Sequence, residues 1–241
     1  MRIAVFSDIH GNRTAFEAVL ADIRLASPDL VLHGGDLADA GSSPVEIIDR
    51  IRDLGWPGVL GNTDEMLIRP ETLEVFAATS SAPPALWTAT REIAAATRAR
   101  LGPERLAWLE TLPMVSFHEQ FALVHATPAS CWRAPTLTAA GEELETAYGS
   151  LGRSIVAFGH THFPGIRFLP GDPSVLINTG SVGLPFDGDP RASYLLLEGN
   201  APLIRRVAYD VEAEMRALSI CGLPGAVWTA KMLRAASPQM P

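Results

Sequence analysis

Five short apolar runs along the chain end in the same kind of polar cluster. "RIAVF" leads into Ser7, Asp8 and His10, and "LVL" leads into His33, Gly34, Gly35 and Asp36. "GVL" leads into Gly61, Asn62 and Asp64, "FALV" ends in His125, and "SIVAF" leads into Gly159, His160 and His162. Each run is too short for a helix and rich in β-branched residues or leucine, which predicts a buried strand. Between the first three runs the apolar spacing is helical. Ala15, Val19, Leu20 and Ile23 share one face, and Val45, Ile48, Ile51 and Leu54 share another. Strands alternating with helices predict right-handed βαβ units and a parallel sheet.

The pattern then changes twice. Residues 66 to about 112 read as helical, with "ALWTATREIAAATRARL" the clearest stretch and "SSAPPA" a breaker-rich loop before it. This segment is expected to form a helical cap over the sheet edge. From about 163 to 209 the chain alternates like antiparallel strands in "GIRFL", "SVLIN", "ASYLLLE" and "PLIRRVAY". "VEAEMRAL" and "AVWTAKMLRA" return to helical spacing. No repeat or linker interrupts the pattern, so residues 1–241 are expected to form a single domain with two β-sheet halves.

Composition narrows the class. Hydrophobic residues make up 47% and charged residues 19% of the 241, a globular balance. The net charge of -8 argues against a broad nucleic-acid or membrane-binding surface, while leaving room for a small phosphate-containing ligand at a locally positive site. Cys131 and Cys221 stand alone, which fits a reducing compartment. "MRIAVFSDIH" is apolar for too few residues to be a signal peptide, and no stretch reaches the ~20 apolar residues of a membrane span. The expectation is a cytoplasmic protein.

Candidate chemistry collects at the strand ends, where open α/β folds place their ligands. Four of the six histidines, His10, His125, His160 and His162, sit there with Asp8, Asp36 and Asn62. In "DIH" and "HTH" the candidates are two residues apart, which in extended backbone directs both side chains to one side. Seven nitrogen and oxygen donors exceed what one tetrahedral ion takes and suit two ions sharing a carboxylate. Imidazole with carboxylate favours manganese, iron, cobalt, nickel or zinc. Two such dications about 3.5–4 Å apart clamp an in-line displacement and generate a hydroxide at neutral pH. They would leave a positive patch that attracts phosphate in an acidic protein.

The ordered set "DIH", "GD", "GN", a lone histidine and "GHTH" resembles the calcineurin-like metallophosphoesterase superfamily. "NTGSVGLPFDGDPRASYLLLE" is similar to the "NPGSVGQPRDGDPRASY" pattern of its small bacterial and archaeal phosphodiesterases. The resemblance covers most of the chain, least so the helical middle. It implies an α/β fold of the four-layer αββα kind, with two mixed β-sheets flanked by helices. It implies one metal held by Asp8, His10, Asp36 and His162, a second held by Asp36, Asn62, His125 and His160, and Asp36 as the bridge. Two divalent ions are expected, manganese first. The implied function is hydrolysis of phosphodiesters or activated phosphomonoesters by a metal-bridging hydroxide, with a small phosphate ester as substrate. Dinucleoside polyphosphate hydrolysis and protein phosphatase activity are the enzyme alternatives, although "GDxVDRG" and "GNHE" are absent. A non-catalytic interaction module, the fold's role in retromer, is the alternative of another class.

Most of the superfamily carries "GNH" followed by an acid, although its small bacterial phosphodiesterases often lack the histidine, and the resemblance gives that histidine the task of protonating the leaving group or bracing the phosphate. Thr63 replaces it here, and Asp64 lacks that partner. Several residues keep two readings. Asn62 with Glu65 also reads as a helix N-cap pair. His33 is either a packed core residue or a support behind the ligands. Arg191 either grips a phosphate oxygen by its planar fork or braces its own turn. Asp39 reads as support or cap, His118 as a turn residue, and Trp87 and Trp108 as core.

Overall fold

The computed structural model describes residues 1–241 except residue 172. In chain order it comprises β1 (Arg2–Phe6), α1 (Arg13–Ala26), β2 (Leu30–His33), α2 (Pro44–Leu54), α3 (Asn62–Ile68), α4 (Glu71–Ala78) and α5 (Pro84–Leu109). There follow β3 (Val115–His118), β4 (Phe121–Val124), α6 (Gly141–Tyr148), β5 (Ile155–Phe158), β6 (Gly165–Phe168) and β7 (Val175–Asn178). The chain closes with β8 (Ala192–Glu198), β9 (Ala201–Val207), α7 (Val211–Ile220) and α8 (Ala226–Ala235).

Two mixed sheets stack face to face, in the orders β2-β1-β8-β9 and β3-β4-β5-β7-β6. Alternation along β1 shows why its run is continuously apolar. Ile3 and Val5 pack with Leu123, Ala157 and Ile177 of the facing sheet, while Ala4 and Phe6 pack with the buried faces of α1 and α2. The second sheet repeats the arrangement, its outer residues Val124, Phe158 and Leu176 meeting Leu144 and Tyr148 of α6. Strands buried on both faces need apolar residues at every position. The result is the four-layer helix–sheet–sheet–helix sandwich.

The helices start and stop where their sequences direct. Asn12 caps α1 by accepting the Ala15 N–H at 2.9 Å. Pro44 opens α2, and Gly55 closes it in a left-handed conformation. The long α5 kinks at Gly102–Pro103, which divides it into two straight pieces. No helix among the described residues is long and apolar enough to cross a membrane.

Two expectations need correction. "GVL" is not a strand: it makes one parallel bridge, His33 to Gly58, because Pro57 lacks an N–H and α3 begins at Asn62. The four runs of the C-terminal third pair antiparallel as expected, as the hairpins β6–β7 and β8–β9, and these join different sheets, since β8 returns to pair with β1 while β7 pairs with β5. His118 ends strand β3 rather than lying in the turn. Trp87 and Trp108, both partly buried, pack against the core as expected; Trp87 also lies beside Phe76 at the edge of a cavity, and Trp108 lies against His33.

Candidate metal centre

The loops after β1, β2, β4 and β5 and the first turn of α3 converge where the two sheets meet. Their backbone is unusual. Asp8, His10, Asp36, His160 and His162 all have positive φ, between 48° and 64°. Non-glycine residues held there cost about 1–3 kcal/mol each and persist only when their surroundings over-determine them. Side chains in the "DIH" and "HTH" pairs therefore reach the centre from left-handed turns, not from extended backbone as the spacing suggested. Two glycines make room. A Cβ on Gly61 would collide with the Asp36 carboxylate, and one on Gly159 would collide with that of Asp8.

Asp8, His10, Asp36 and His162 are buried, and their donor atoms lie within 4.8 Å of one another. His162 Nε2 is 3.1 Å from Asp8 Oδ1 and 3.2 Å from His10 Nε2. A second group adjoins it: Asn62 Oδ1 lies 3.0 Å from His125 Nε2 and 2.9 Å from His160 Nδ1. Asp36 spans the two, with Oδ2 3.7 Å from His10 Nε2 and Oδ1 3.5 Å from His125 Nε2.

Proton accounting tests whether this set fits metal ions. His10 Nδ1 donates to the Asp39 carbonyl at 3.1 Å, and His162 Nδ1 donates to the Leu184 carbonyl at 2.6 Å. A carbonyl only accepts, so in each neutral ring the proton sits on Nδ1 and the Nε2 lone pair points inward. Two lone pairs then face each other beside a carboxylate oxygen, and that arrangement is satisfied by a cation. Burial and the neighbouring His162 push the His10 pKa down, so protonating His10 is not the remedy. His125 Nδ1 donates to the Gly34 carbonyl at 2.7 Å, leaving Nε2 facing two acceptor oxygens. Burial opposes its charging, but the Asp36 and Asp8 charges outweigh this and raise its pKa; there a proton stands in for positive charge. Burial, followed by the His125 charge, lowers His160 to about 4. Asp8 lies well below the usual carboxylate range, the His162 attraction overcoming the effect of burial. The residues fit divalent ions with nitrogen and oxygen ligands.

Sequence reasoning missed the supports. Asp64, fully buried, accepts the Asp36 N–H at 2.8 Å, the Gly61 N–H at 3.1 Å and the Leu37 N–H at 3.0 Å. Burial, then the Asp36 charge, pushes its pKa up to about 7. It has partners of its own, and it supplies the capping contact at α3, whose N-cap is Gly61 rather than Asn62. Glu65 instead accepts from Trp132 Nε1 at 2.6 Å. Asn178 holds the "GHTH" loop, donating to the Gly159 carbonyl at 2.7 Å and Thr161 Oγ1 at 2.9 Å. Its only sequence signal was its place in "NTGS".

The other candidates lie elsewhere or do less. Arg191 forks onto Asp189 at 2.6 Å in its own exposed turn and does not line the cavity over the cluster. His33 is a core residue between Phe6 and Trp108, with no hydrogen-bond partner on either ring nitrogen. Burial pushes its pKa down to about 3. Asp39, buried beside the cluster, is pushed up to about 7, chiefly by burial. Thr63 donates its backbone N–H to Asp36 Oδ1 at 2.9 Å, and its hydroxyl is buried without a partner. A cavity of about 380 Å³ opens over the cluster, with α3, α4 and α5 contributing to its walls.

Comparison with known proteins identifies the family. An uncharacterized protein from Methanocaldococcus jannaschii is 30% identical over 231 residues, covering 87% of this chain and 88% of that protein. A symmetrical bis(5'-nucleosyl)-tetraphosphatase from Methylococcus capsulatus is 33% identical over 156 residues, 61% of this chain and 50% of that protein. The crystal structure of a metallophosphoesterase from Sphaerobacter thermophilus superposes with a TM-score of 0.78 at 26% identity, covering 98% of this chain and all of that one. The family model of the calcineurin-like phosphoesterase superfamily domain matches residues 1–201. The chain belongs to the calcineurin-like phosphoesterase superfamily.

Proposed function

We propose that this phosphoesterase is binuclear and acts on phosphodiesters or activated phosphomonoesters. The observation that carries the reading is the Asp36 carboxylate, whose two oxygens face two separate donor groups. Asp8, His10, Asp36 and His162 would hold one ion, and Asp36, Asn62, His125 and His160 the other. Manganese is the first choice, with iron, nickel, cobalt and zinc suited to the same donors. When bound, two dications would neutralise phosphoryl oxygens and lower the pKa of a water for in-line attack on phosphorus.

The chain's own residues set the conditions. Backbone carbonyls lock the His10, His125 and His162 rings with their lone pairs inward. The Thr63 N–H orients the Asp36 carboxylate. The Thr63 hydroxyl is buried and does not titrate near neutral pH. A leaving oxygen therefore gains no proton from position 63, which favours leaving groups of low pKa.

The Methylococcus relative motivates a second reading, dinucleoside polyphosphate hydrolysis at the same centre. The test strips the protein with chelator, counts ions on reloading, and assays bis(4-nitrophenyl) phosphate and a dinucleoside tetraphosphate with each metal. Two ions per chain and diester turnover are expected. Faster tetraphosphate cleavage would favour the second reading. No turnover with any of the metals would sink both and leave a non-catalytic interaction module.

A further inference from the structure

The cavity over the cluster is polar at its floor and mainly apolar above it, with Thr90 and Gln239 the polar exceptions among the described lining residues. His10, Asp36, Asn62, His160 and His162 form one end. The walls rising from it are apolar: Phe76 on α4, Leu86 and Trp87 on α5, Phe186 on the loop before β8, and Trp228 and Met240 from the C-terminal segment. Among the described residues that line it, none is Lys or Arg. Part of this wall lies beyond the stretch matched by the family, which ends at residue 201. Trp228 Nε1 donates to the Gln239 carbonyl at 2.7 Å, and the Gly188 N–H donates to the Ala236 carbonyl at 2.9 Å. These two bonds hold the final residues against the cavity, where Met240 is half exposed.

We infer that the cavity selects phosphoesters whose organic group is uncharged and apolar, either alkyl or aryl. The inference rests on the phosphoesterase reading, which seats the phosphoryl group at the cluster. An ester group attached there has to extend along the walls. A hydrocarbon gains by leaving water for such walls. A nucleoside would bring base and sugar polar groups to a surface with few partners for them, and unpaired polar groups are penalised on burial. A chain of further phosphates would find no cationic side chain among the lining residues.

The test keeps the leaving group constant and varies the other ester. Methyl, butyl, hexyl, cyclohexyl and phenyl 4-nitrophenyl phosphates are compared by kcat/KM on the manganese-loaded protein, with the 4-nitrophenyl ester of thymidine monophosphate as the polar case. Each buried methylene should raise kcat/KM about three- to fourfold until the cavity is filled. With part of the chain remaining in solvent, hexyl should exceed methyl by roughly 10- to 100-fold. Cyclohexyl against phenyl separates aliphatic from aromatic preference. Leu86→Lys and, independently, the surface change Met240→Lys should each shrink the hexyl-to-methyl ratio. Hexylphosphonate, followed by tryptophan fluorescence without turnover, should bind the parent more tightly than either variant. A flat alkyl series, a thymidine ester faster than hexyl, or phosphonate binding indifferent to both variants would overturn the inference. Hydrolysis of methyl and hexyl esters at equal rates removes the apolar selection while keeping the phosphoesterase. Tight, variant-sensitive phosphonate binding with no ester cleaved keeps the selection and removes the phosphoesterase reading.

Discussion

The floor and the walls of the cavity are built by opposite rules. At the floor the backbone is left-handed at five donors and glycines let the loops touch, while the Thr63 hydroxyl and Asp39 Oδ1 are buried without a partner. At the walls most side chains come from helices, joined by Phe186 of a loop and Met240 of the C-terminal segment. A strained, closely packed floor tolerates little change. Apolar walls accept substitution at the cost of packing alone. Chemistry and selectivity thus sit on separate parts of the chain, and mutations should divide accordingly.

The largest effect should come from the floor. Asp36→Asn should lower turnover by at least on the order of 10³-fold and weaken both ions, because an amide lacks the charge that favours bridging. Elemental analysis beside kinetics checks it; near-normal activity at limiting metal would break the division at its centre. Next, Gly61→Ala should lower metal affinity about 10- to 100-fold, the range for disturbing groups that orient ligands. Calorimetric metal titration reads the effect, and Leu86→Ala on the wall serves as the contrast, with affinity expected to stay within about twofold. Equal losses in the two variants would erase the distinction.

His33, just beneath the floor, tests a stability effect. Its native pKa of about 3 lies below the ~6.5 of an unfolded histidine. The unfolded chain therefore binds more protons between those values, and stability rises with pH there. The contribution is fully present above pH ~6.5 and is lost as pH falls toward 3. Between pH 7 and 5 the loss should be about 2 kcal/mol. His33→Leu should remove it, read as a flatter denaturation midpoint against pH. An unchanged pH slope in the variant would show that His33 is not kept neutral by its surroundings.

The smallest effect concerns the missing proton donor. The parent should lose kcat/KM steeply as leaving-group pKa rises, because general acid catalysis worth roughly 10²–10⁴-fold has no imidazole at position 63. Thr63→His should recover less than about tenfold, because Asp64 is already committed to three backbone N–H groups and cannot orient a new ring. A flat parent line would show that another proton source exists.

The ends of β1, β2, β4 and β5 were legible because continuous apolar runs stop abruptly at Asp, His and Gly. The α1 face was legible because its period is helical. The edge strand β3 and helix α6 were not, since β3 is only partly buried and α6 buries just Leu144 and Tyr148. Sequence could not show that β7 and β8 belong to different sheets, because hairpin signals carry no information about which edge a hairpin joins. The seven donors could be named from their types and order. Their left-handed backbone could not, because Asp and His occur in all conformations. The apolar walls were hidden for a different reason: Phe76, Trp87 and Trp228 become neighbours of one cavity only through tertiary folding.

The grip of α3 on Asp36 has a mechanical consequence. The first turn of that helix holds the residue at both ends, the Asp64 carboxylate on its main-chain N–H and the Thr63 N–H on its side-chain oxygen. The far end of α3 is tied down as well, since Arg98 of α5 donates to the Leu67 and Ile68 carbonyls. Tilting α3 would turn the Asp36 carboxylate like a lever and change the gap between the two donor groups. The spacing of the two donor groups is thus set by how α3 sits, with α3 as the fixed pillar of the site.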